Sequence, residues 1–266
     1  MIQTIPDNFI KNKPGCLKST AFRPFLGLVL GLFCCHGTYA MCPGEADKAL
    51  NSAIKIAQEW PLRPVNDSVT QYLQQLGERL VAQGKAVAKS LPYYDGMPEQ
   101  WHFLIVRDLS VNAFSIGNGR IYITDGSLAF ADTESELAAM LSHEIGHQLA
   151  GHFCRAAASN DFGGLFDVFS PLPPQQHQVG VGSMTLVIDP VKEQQADQIA
   201  ISILRMGGYD PYALLYLARR LPSAATEHLR DANRIQFLEH AIANVPRLPA
   251  ESSEEFRAIK RSITAN

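Results

Sequence analysis

Residues 132–149 combine a helical pattern with two histidines that fall on one face. Thr133 and Glu136 have the spacing of a capping box, which predicts where the helix begins. His143 and His147 are four residues apart, so a helix places their imidazoles side by side. The segment is therefore predicted to be an amphipathic helix whose buried stripe consists of Leu137, Met140, Leu141, Ile145 and Leu149.

The two histidines enclose Glu144 in the sequence His-Glu-x-x-His. On a helix this motif is typical of a zinc site in which both imidazoles bind the metal and the glutamate acts as general base. A catalytic zinc ion takes three protein ligands and leaves one position for water. We therefore expect one zinc ion per chain, a third ligand from elsewhere in the sequence, and Glu144 as the base that activates the water.

The residues just after the motif do not supply the third ligand. Phe153 stands six residues after His147, where one class of zinc peptidase has a further histidine, and Ala150 replaces the glycine of that class. His152 lies nine residues from His143, about half a turn further round on a continuous helix. The sequence therefore predicts that His152 faces away from the ligands and lies at the surface.

Glu193 and Asp197 are the better candidates for completing the site. They lie four residues apart in a helix that Asp189 and Pro190 are predicted to open, so their carboxylates share one face. Glu193 can be the third zinc ligand, and Asp197 can accept the free N–H of a ligand histidine and so fix its ring. The alternative is a solvated acidic helix face, which the neighbouring His-Glu-x-x-His motif disfavours.

The remaining segments predict an α+β fold, mainly helical, with a small three-stranded sheet packed beside the zinc-binding helix. Residues 159–188 are rich in Gly, Pro, Gln and Phe and are predicted to form a long loop beside the active site; the alternative is a connector with no role. The charged tail after Pro249 is expected to be peripheral. The predicted strands are Trp101–Val106, Val111–Ile116 and Arg120–Thr124, and the other predicted helices are 45–60, 66–90, Pro190 to the Gly207-Gly208 pair, 211–221 and 233–244.

The first 40 residues have the pattern of a secretory signal peptide. Basic residues precede a short apolar run from Phe25 to Cys35, and small residues follow at the cleavage positions. This predicts a signal peptide over 1–40 and a metallopeptidase domain over 41–266. An uncleaved anchor and a lipoprotein with a lipid on Cys42 are the alternatives. We therefore expect a periplasmic chain, with lipid anchoring or outer-membrane association left open.

Composition excludes some partners. The formal net charge is −3 and the isoelectric point is about 6.2, so no nucleic-acid partner is expected. No run of eighteen apolar residues occurs, so a full membrane span is not expected either. After removal of a signal peptide, Cys42 and Cys154 would remain in an oxidising compartment, either as a disulfide or as two separate buried thiols.

Together these segments resemble the HtpX and CAAX-prenyl-protease type of zinc metallopeptidase, a gluzincin family. The soluble, secreted members of the LoiP and BepA type are the most similar, and the resemblance covers about Val69 to Ile242. Its motifs are Asn112-Ala113-Phe114, Gly119-Arg120-Ile121-Tyr122-Ile123-Thr124, His143-Glu144-Ile145-Gly146-His147 and Glu193-Gln194-Gln195-Ala196-Asp197.

The resemblance also implies roles for residues outside the metal motif. The family often has a histidine followed six residues later by Arg-Ile, which here is His228 before Arg234-Ile235. In relatives this histidine can approach the zinc, so His228 is expected to hold a resting state or to stabilise the oxyanion; the alternative is a histidine on the surface of a helix. Leu229 stands where the family usually has proline, which puts the local loop geometry in doubt.

The resemblance further implies that the substrate binds as an extended strand beside the metal helix. Asn112, Ala113 and Phe114 are then expected at or near the sheet edge that receives it, although Phe114 could equally be a core residue. The predicted function is zinc-dependent endopeptidase hydrolysis of unfolded or extended envelope and secreted proteins. The alternative is a latent protease that acts chiefly as a chaperone-like binding factor for envelope proteins.

Overall fold

The computed structural model describes residues 44–91, 97–153, 190–221, 232–249 and 251–264. The signal peptide, Cys42, Cys154, the 159–188 loop and His228 lie outside the described residues. Over the described ranges the predicted α+β class is confirmed. The helices are α1 (Glu45–Glu59), α2 (Ser68–Ala88), α3 (Asp125–Phe130), α4 (Glu134–Leu149), α5 (Pro190–Gly207), α6 (Tyr212–Arg220), α7 (Ala232–Ile242) and α8 (Glu254–Thr264), and the strands are β1 (His102–Val106), β2 (Ala113–Gly117) and β3 (Arg120–Thr124).

The long helices begin at side chains that cap them. The Asp67 carboxylate accepts hydrogen bonds from the first backbone N–H groups of α2, and the Thr133 hydroxyl accepts one from Glu136 at the start of α4. Glu136 in turn accepts a hydrogen bond from the backbone N–H of Asp132, close to the reciprocal bond of a capping box. The apolar faces of α2, α4 and α5 then pack against one another and form the main core. None of the described helices combines the length and the apolar character needed to cross a membrane.

The three strands form a mixed sheet in the order β1-β3-β2. β1 pairs with β3 in parallel, and β2 pairs with β3 in antiparallel. Because side chains alternate along a strand, each face of the sheet has its own packing partner. One face lies in the main core with α2 and α4, and the other forms a second apolar cluster with Ile56 of α1.

The hairpin between β2 and β3 is fixed to the helices on both sides. Gly117, Asn118 and Gly119 all have positive φ, between 46° and 84°, which is the left-handed region that glycine and asparagine tolerate best. The N–H of Asn118 donates to Glu45 of α1, and the N–H of Gly119 donates to Gln148 of α4. The turn therefore holds the sheet against the helix that carries the histidine pair.

The C-terminal tail is not peripheral, and that prediction was wrong. Phe256 of α8 is only 3% exposed and packs against Tyr72 of α2. The backbone N–H of Ser253 donates to the Glu134 carboxylate, and the Ser252 hydroxyl accepts from the N–H of Glu134. The charged residues that suggested a solvated tail lie on one side of an amphipathic helix whose other side is buried.

Candidate metal centre

The two helices that carry the predicted ligands cross in close contact. Gly146 of α4 lies against the backbone of Ala196 in α5, and a Cβ on Gly146 would lie 2.6 Å from the Ala196 carbonyl oxygen. A glycine at this point therefore allows a shorter separation of the helix axes than any other residue would. Glu193 lies about one turn before Ala196, so the close crossing brings its carboxylate over the imidazoles of α4.

His143, His147 and Glu193 converge as predicted. The Nε2 atoms of the two histidines are 3.1 Å apart, and they lie 3.2 and 3.4 Å from the two carboxylate oxygens of Glu193. The three ligand atoms all lie within 4.8 Å of one another. Two imidazole nitrogens and one carboxylate are the donor set of a His₂Glu zinc site, and their separations fit a single ion between them.

The back of His143 is held by a buried ion pair. Its Nδ1 donates to Asp197 at 2.9 Å, and Asp197 is fully buried. Arg234 of α7 binds both oxygens of that carboxylate, with Nε at 2.7 Å and Nη2 at 2.6 Å. Asp197 therefore lies where it can hold the His143 ring, and the positive charge of Arg234 compensates the Asp197 charge inside the core.

Acidic side chains in contact with His143 make this site attract positive charge. Burial and the Arg234 charge act to lower the pKa of His143, but its bonds to Asp197 and Glu193 outweigh them and raise it to about 9. Burial acts to raise the pKa of Asp197, but the charge and hydrogen bonds of Arg234 and the bond from His143 hold it at about 2. The Asp197 and Glu193 carboxyl groups beside the buried imidazoles favour a cation at this position, which is the environment that a divalent metal requires.

Glu144 is 4% exposed and borders an apolar pocket beside the ligands. Burial raises its pKa to about 7; the charge of His143 opposes this rise and that of Glu193 adds to it. The pocket lies between α4, α6 and β2, and its walls include Ala113, Met140, Leu214, Leu217 and Leu221. Glu144 therefore lies between the metal-ligand cluster and this apolar pocket.

The three residues predicted to bind substrate occupy different environments. Ala113 lines the apolar pocket together with Glu144. Phe114 points to the opposite face of the sheet, where its ring stacks on Tyr122 with centroids 5.1 Å apart, so its side chain belongs to the second apolar cluster. Asn112 is buried, and its carbonyl oxygen accepts a hydrogen bond from the N–H of Thr124.

The prediction that His152 lies at the surface and faces away from the ligands was wrong. His152 is only 1% exposed, and its Nδ1 lies 2.8 Å from the Nδ1 of His147. The helical count failed because α4 ends at Leu149 and Gly151 adopts a left-handed conformation with φ of 65°. The chain therefore turns back on itself, and His152 returns to the side of the ligands.

Among the described residues, Arg234 and His152 are two buried polar residues of the site whose contacts the sequence did not predict. Arg234 was visible only as part of the Arg-Ile pair that follows His228, and nothing in its local sequence marked it as the partner of Asp197. The described ranges do not include His228, so its role remains a prediction.

The close helix crossing, the His₂Glu cluster and the carboxylate behind His143 together define a gluzincin-type metallopeptidase domain. Comparison with known proteins agrees with that class, because residues 67–170 match the sequence model of the family described as Peptidase family M48. The matched residues include the His-Glu-x-x-His motif, so the match confirms the resemblance to this type of metallopeptidase that the sequence indicated.

The chain is also similar to several named proteases. It is 27% identical over 224 residues to the β-barrel assembly-enhancing protease of Escherichia coli strain K12, covering 74% of this chain and 44% of the relative. It is 26% identical to the protein of the same name from Yersinia pestis, covering 73% and 43%. The mitochondrial metalloendopeptidase OMA1 of Schizosaccharomyces pombe is 26% identical, covering 69% and 61%. The matched region thus spans less than half the length of the first two relatives.

Proposed function

We propose that this chain is a zinc-dependent endopeptidase that cleaves extended or misfolded envelope proteins. The observation that carries the proposal is the convergence of His143, His147 and Glu193 within 4.8 Å of one another beside a buried Glu144. A catalytic glutamate next to a three-ligand zinc site is the arrangement that hydrolyses amides without a covalent intermediate. Zinc is the ion proposed because two imidazoles and one carboxylate suit its preference for nitrogen and oxygen ligands in a tetrahedral site.

Each residue of the site has a separate role in the proposed hydrolysis. A zinc ion, when bound, supplies a Lewis acid that polarises the scissile carbonyl and lowers the pKa of water. Glu144 accepts the proton of the attacking water and then delivers it to the leaving amine. Asp197 and Arg234 keep the His143 ring fixed, so the ligand does not reorient as charge develops. His228 is proposed to stabilise the oxyanion or to hold the resting state, as the family resemblance implies.

The sheet edge supports an extended substrate. The outer side of β1 is covered, because Arg63 donates to Ile105 and Arg107 donates to Pro61. Within the described ranges, the outer side of β2 makes no backbone hydrogen bond to another segment. A peptide added there would lie along Ala113 and would pass the apolar pocket beside Glu144. The names of the relatives, which refer to β-barrel assembly and to a mitochondrial endopeptidase, support proteins of membrane envelopes as substrates.

The periplasm is the proposed location, because the predicted signal peptide and the similarity to proteases named for β-barrel assembly both favour an exported chain. Fractionation of cells that express the full chain would test this. We expect the processed protein in the osmotic-shock fraction, and a lipid anchor on Cys42 would instead bring it down with the membranes.

The decisive experiment pairs metal analysis with cleavage of an unfolded β-barrel protein. Wild type should hold one zinc per chain and cleave the substrate. Glu144→Gln should keep the zinc and lose cleavage by 10²-fold or more, about the contribution of a general base. Glu239→Gln, which changes an exposed glutamate of α7, is the matched control and should leave both unchanged.

Three outcomes would overturn parts of the proposal. Near-normal cleavage by Glu144→Gln refutes the base assignment. Unchanged zinc content in Glu193→Ala refutes the third ligand. An effect on the folding of β-barrel proteins that survives both chelation and Glu144→Gln would favour the chaperone-like binding role over proteolysis.

A further inference from the structure

The two ligand histidines have different supports behind them. His143 is backed by a charged group, the Asp197 carboxylate with its Arg234 partner. His147 has another imidazole behind it, because its Nδ1 lies 2.8 Å from the Nδ1 of His152. Ring nitrogens in such close contact require one to carry a hydrogen and the other to accept it.

The direction of this hydrogen bond follows from the ligand geometry. The Nε2 of His147 faces Glu193 and His143, so Nε2 is the nitrogen that would bind the metal. An imidazole that binds through Nε2 carries its hydrogen on Nδ1, and His147 is therefore the donor. The Nδ1 of His152 must then accept, which leaves the hydrogen of a neutral His152 on Nε2.

Gln195 completes the arrangement from the other helix. Its side-chain oxygen lies 3.0 Å from the Nε2 of His152 and accepts the hydrogen that the first bond places there. Gln195 is on α5 between the ligand Glu193 and Asp197, so the helix that supplies the third ligand also supports the second. His147, His152 and Gln195 thus form a chain in which each donor meets an acceptor.

We propose that His152 and Gln195 are positioning residues that fix the tautomer and ring orientation of His147 for metal binding. The proposal rests on the metal site of the proposed function, but it concerns the holding of the ion and not the cleavage of the substrate. If His152 carried its hydrogen on Nδ1, two N–H groups would face each other at 2.8 Å, and the His147 ring would have to turn away from the ion. Gln195 opposes this arrangement, because its side-chain oxygen accepts a hydrogen carried on the Nε2 of His152.

A pair of substitutions at His152 tests the proposal. His152→Asn keeps an acceptor oxygen near the position of Nδ1, whereas His152→Leu removes the acceptor at similar volume. Zinc affinity is measured by competition with a chelator, and the geometry of the site by the visible spectrum of the cobalt-substituted protein. We expect His152→Leu to weaken zinc binding about 10- to 100-fold, the range for loss of such a partner. His152→Asn should recover most of the loss and restore the cobalt spectrum.

Two further variants keep the test decisive. Gln195→Met removes the acceptor for His152 without changing His147, and it should weaken zinc binding as His152→Leu does. If His152→Leu does not fold as the apoprotein, the zinc affinity of Gln195→Met tests the proposal alone. His240→Asn, on the exposed face of α7, is the matched control and should bind zinc like wild type. Zinc affinity and cobalt spectra within twofold of wild type for both His152→Leu and Gln195→Met would overturn the proposal. Wild type that binds zinc but does not cleave protein would refute the proposed function and leave this inference standing.

Discussion

Gly146→Ala tests whether the close crossing of α4 and α5 is what assembles the metal site. The glycine lies inside the His-Glu-x-x-His motif, but it contributes no ligand and faces Ala196 of the other helix. The substitution adds one methyl group and no charge. Its effect on the ligands therefore has to pass through the separation of the two helices.

The displacement can be worked out from the contact. The new Cβ would lie 2.6 Å from the carbonyl oxygen of Ala196 and 3.0 Å from its Cα, whereas ordinary contacts begin at 3.4 Å. The helices must therefore separate by about 0.8 Å at this point, the difference between 3.4 and 2.6 Å. Glu193 is about one turn away on the displaced helix, and metal–ligand distances tolerate only about 0.2 Å. In the free energy of unfolding, the helix propensity of alanine contributes about 1 kcal/mol in favour of the fold, and overpacking costs about 1–3 kcal/mol. The fold should therefore persist, while Glu193 moves away from the two histidines.

The assay measures zinc affinity and thermal unfolding of the apoprotein side by side. We expect Gly146→Ala to lose at least tenfold in zinc affinity with a loss of about 2 kcal/mol or less in stability. Gly84→Ala in α2 is the matched control, because its Cβ would meet only side-chain methyls, the nearest being Leu149 at 3.1 Å. It should bind zinc like wild type. Wild-type zinc affinity in Gly146→Ala would show that the helices do not need this approach to form the site.

Three other outcomes are expected. Arg234→Met should lower the free energy of unfolding in urea by about 3–5 kcal/mol, because it leaves Asp197 as an uncompensated buried charge. The control Arg219→Met, at an exposed ion pair, should lower it by less than about 1 kcal/mol. Equal losses in the two variants would refute the role of burial. Phe256→Ala should cost about 3–5 kcal/mol by the same measurement, and a loss under about 0.5 kcal/mol would restore the view that the tail is peripheral. Zinc at 100 times its dissociation constant should raise the free energy of unfolding of the wild-type protein by about 2.7 kcal/mol. Glu193→Ala should abolish this increase at the same zinc concentration, and an equal increase in the variant would exclude Glu193 as a ligand.

The metal site was predictable because its spacing is local. His143 and His147 lie on one helical turn, and Glu193 and Asp197 on another, so each pair follows from helix geometry alone. The sequence patterns alone did not show that the two pairs meet. That prediction came from the need of a catalytic zinc site for three ligands and from the family resemblance. No pattern in either segment fixed the crossing at Gly146, because a close approach depends on what the opposite helix presents there.

The errors have two physical causes. His152 was placed by continuing a helix beyond the point at which Gly151 ends it, and a left-handed residue is not visible in apolar periodicity. Arg234 and α8 were missed because their partners, Asp197 and Glu134, are distant in sequence. A charged side chain whose partner is remote has the same local sequence as one that is solvated, so pattern reasoning assigns it to the surface.

The long sequence separations within the site have a consequence for biosynthesis. Asp197 lies 54 residues after His143, and Arg234 lies 91 residues after it. A nascent chain leaving the ribosome therefore exposes the imidazole pair well before the carboxylates that complete it. Truncated translation products that stop before residue 193 lack the proposed third ligand, so the proposed metal site cannot be completed in them.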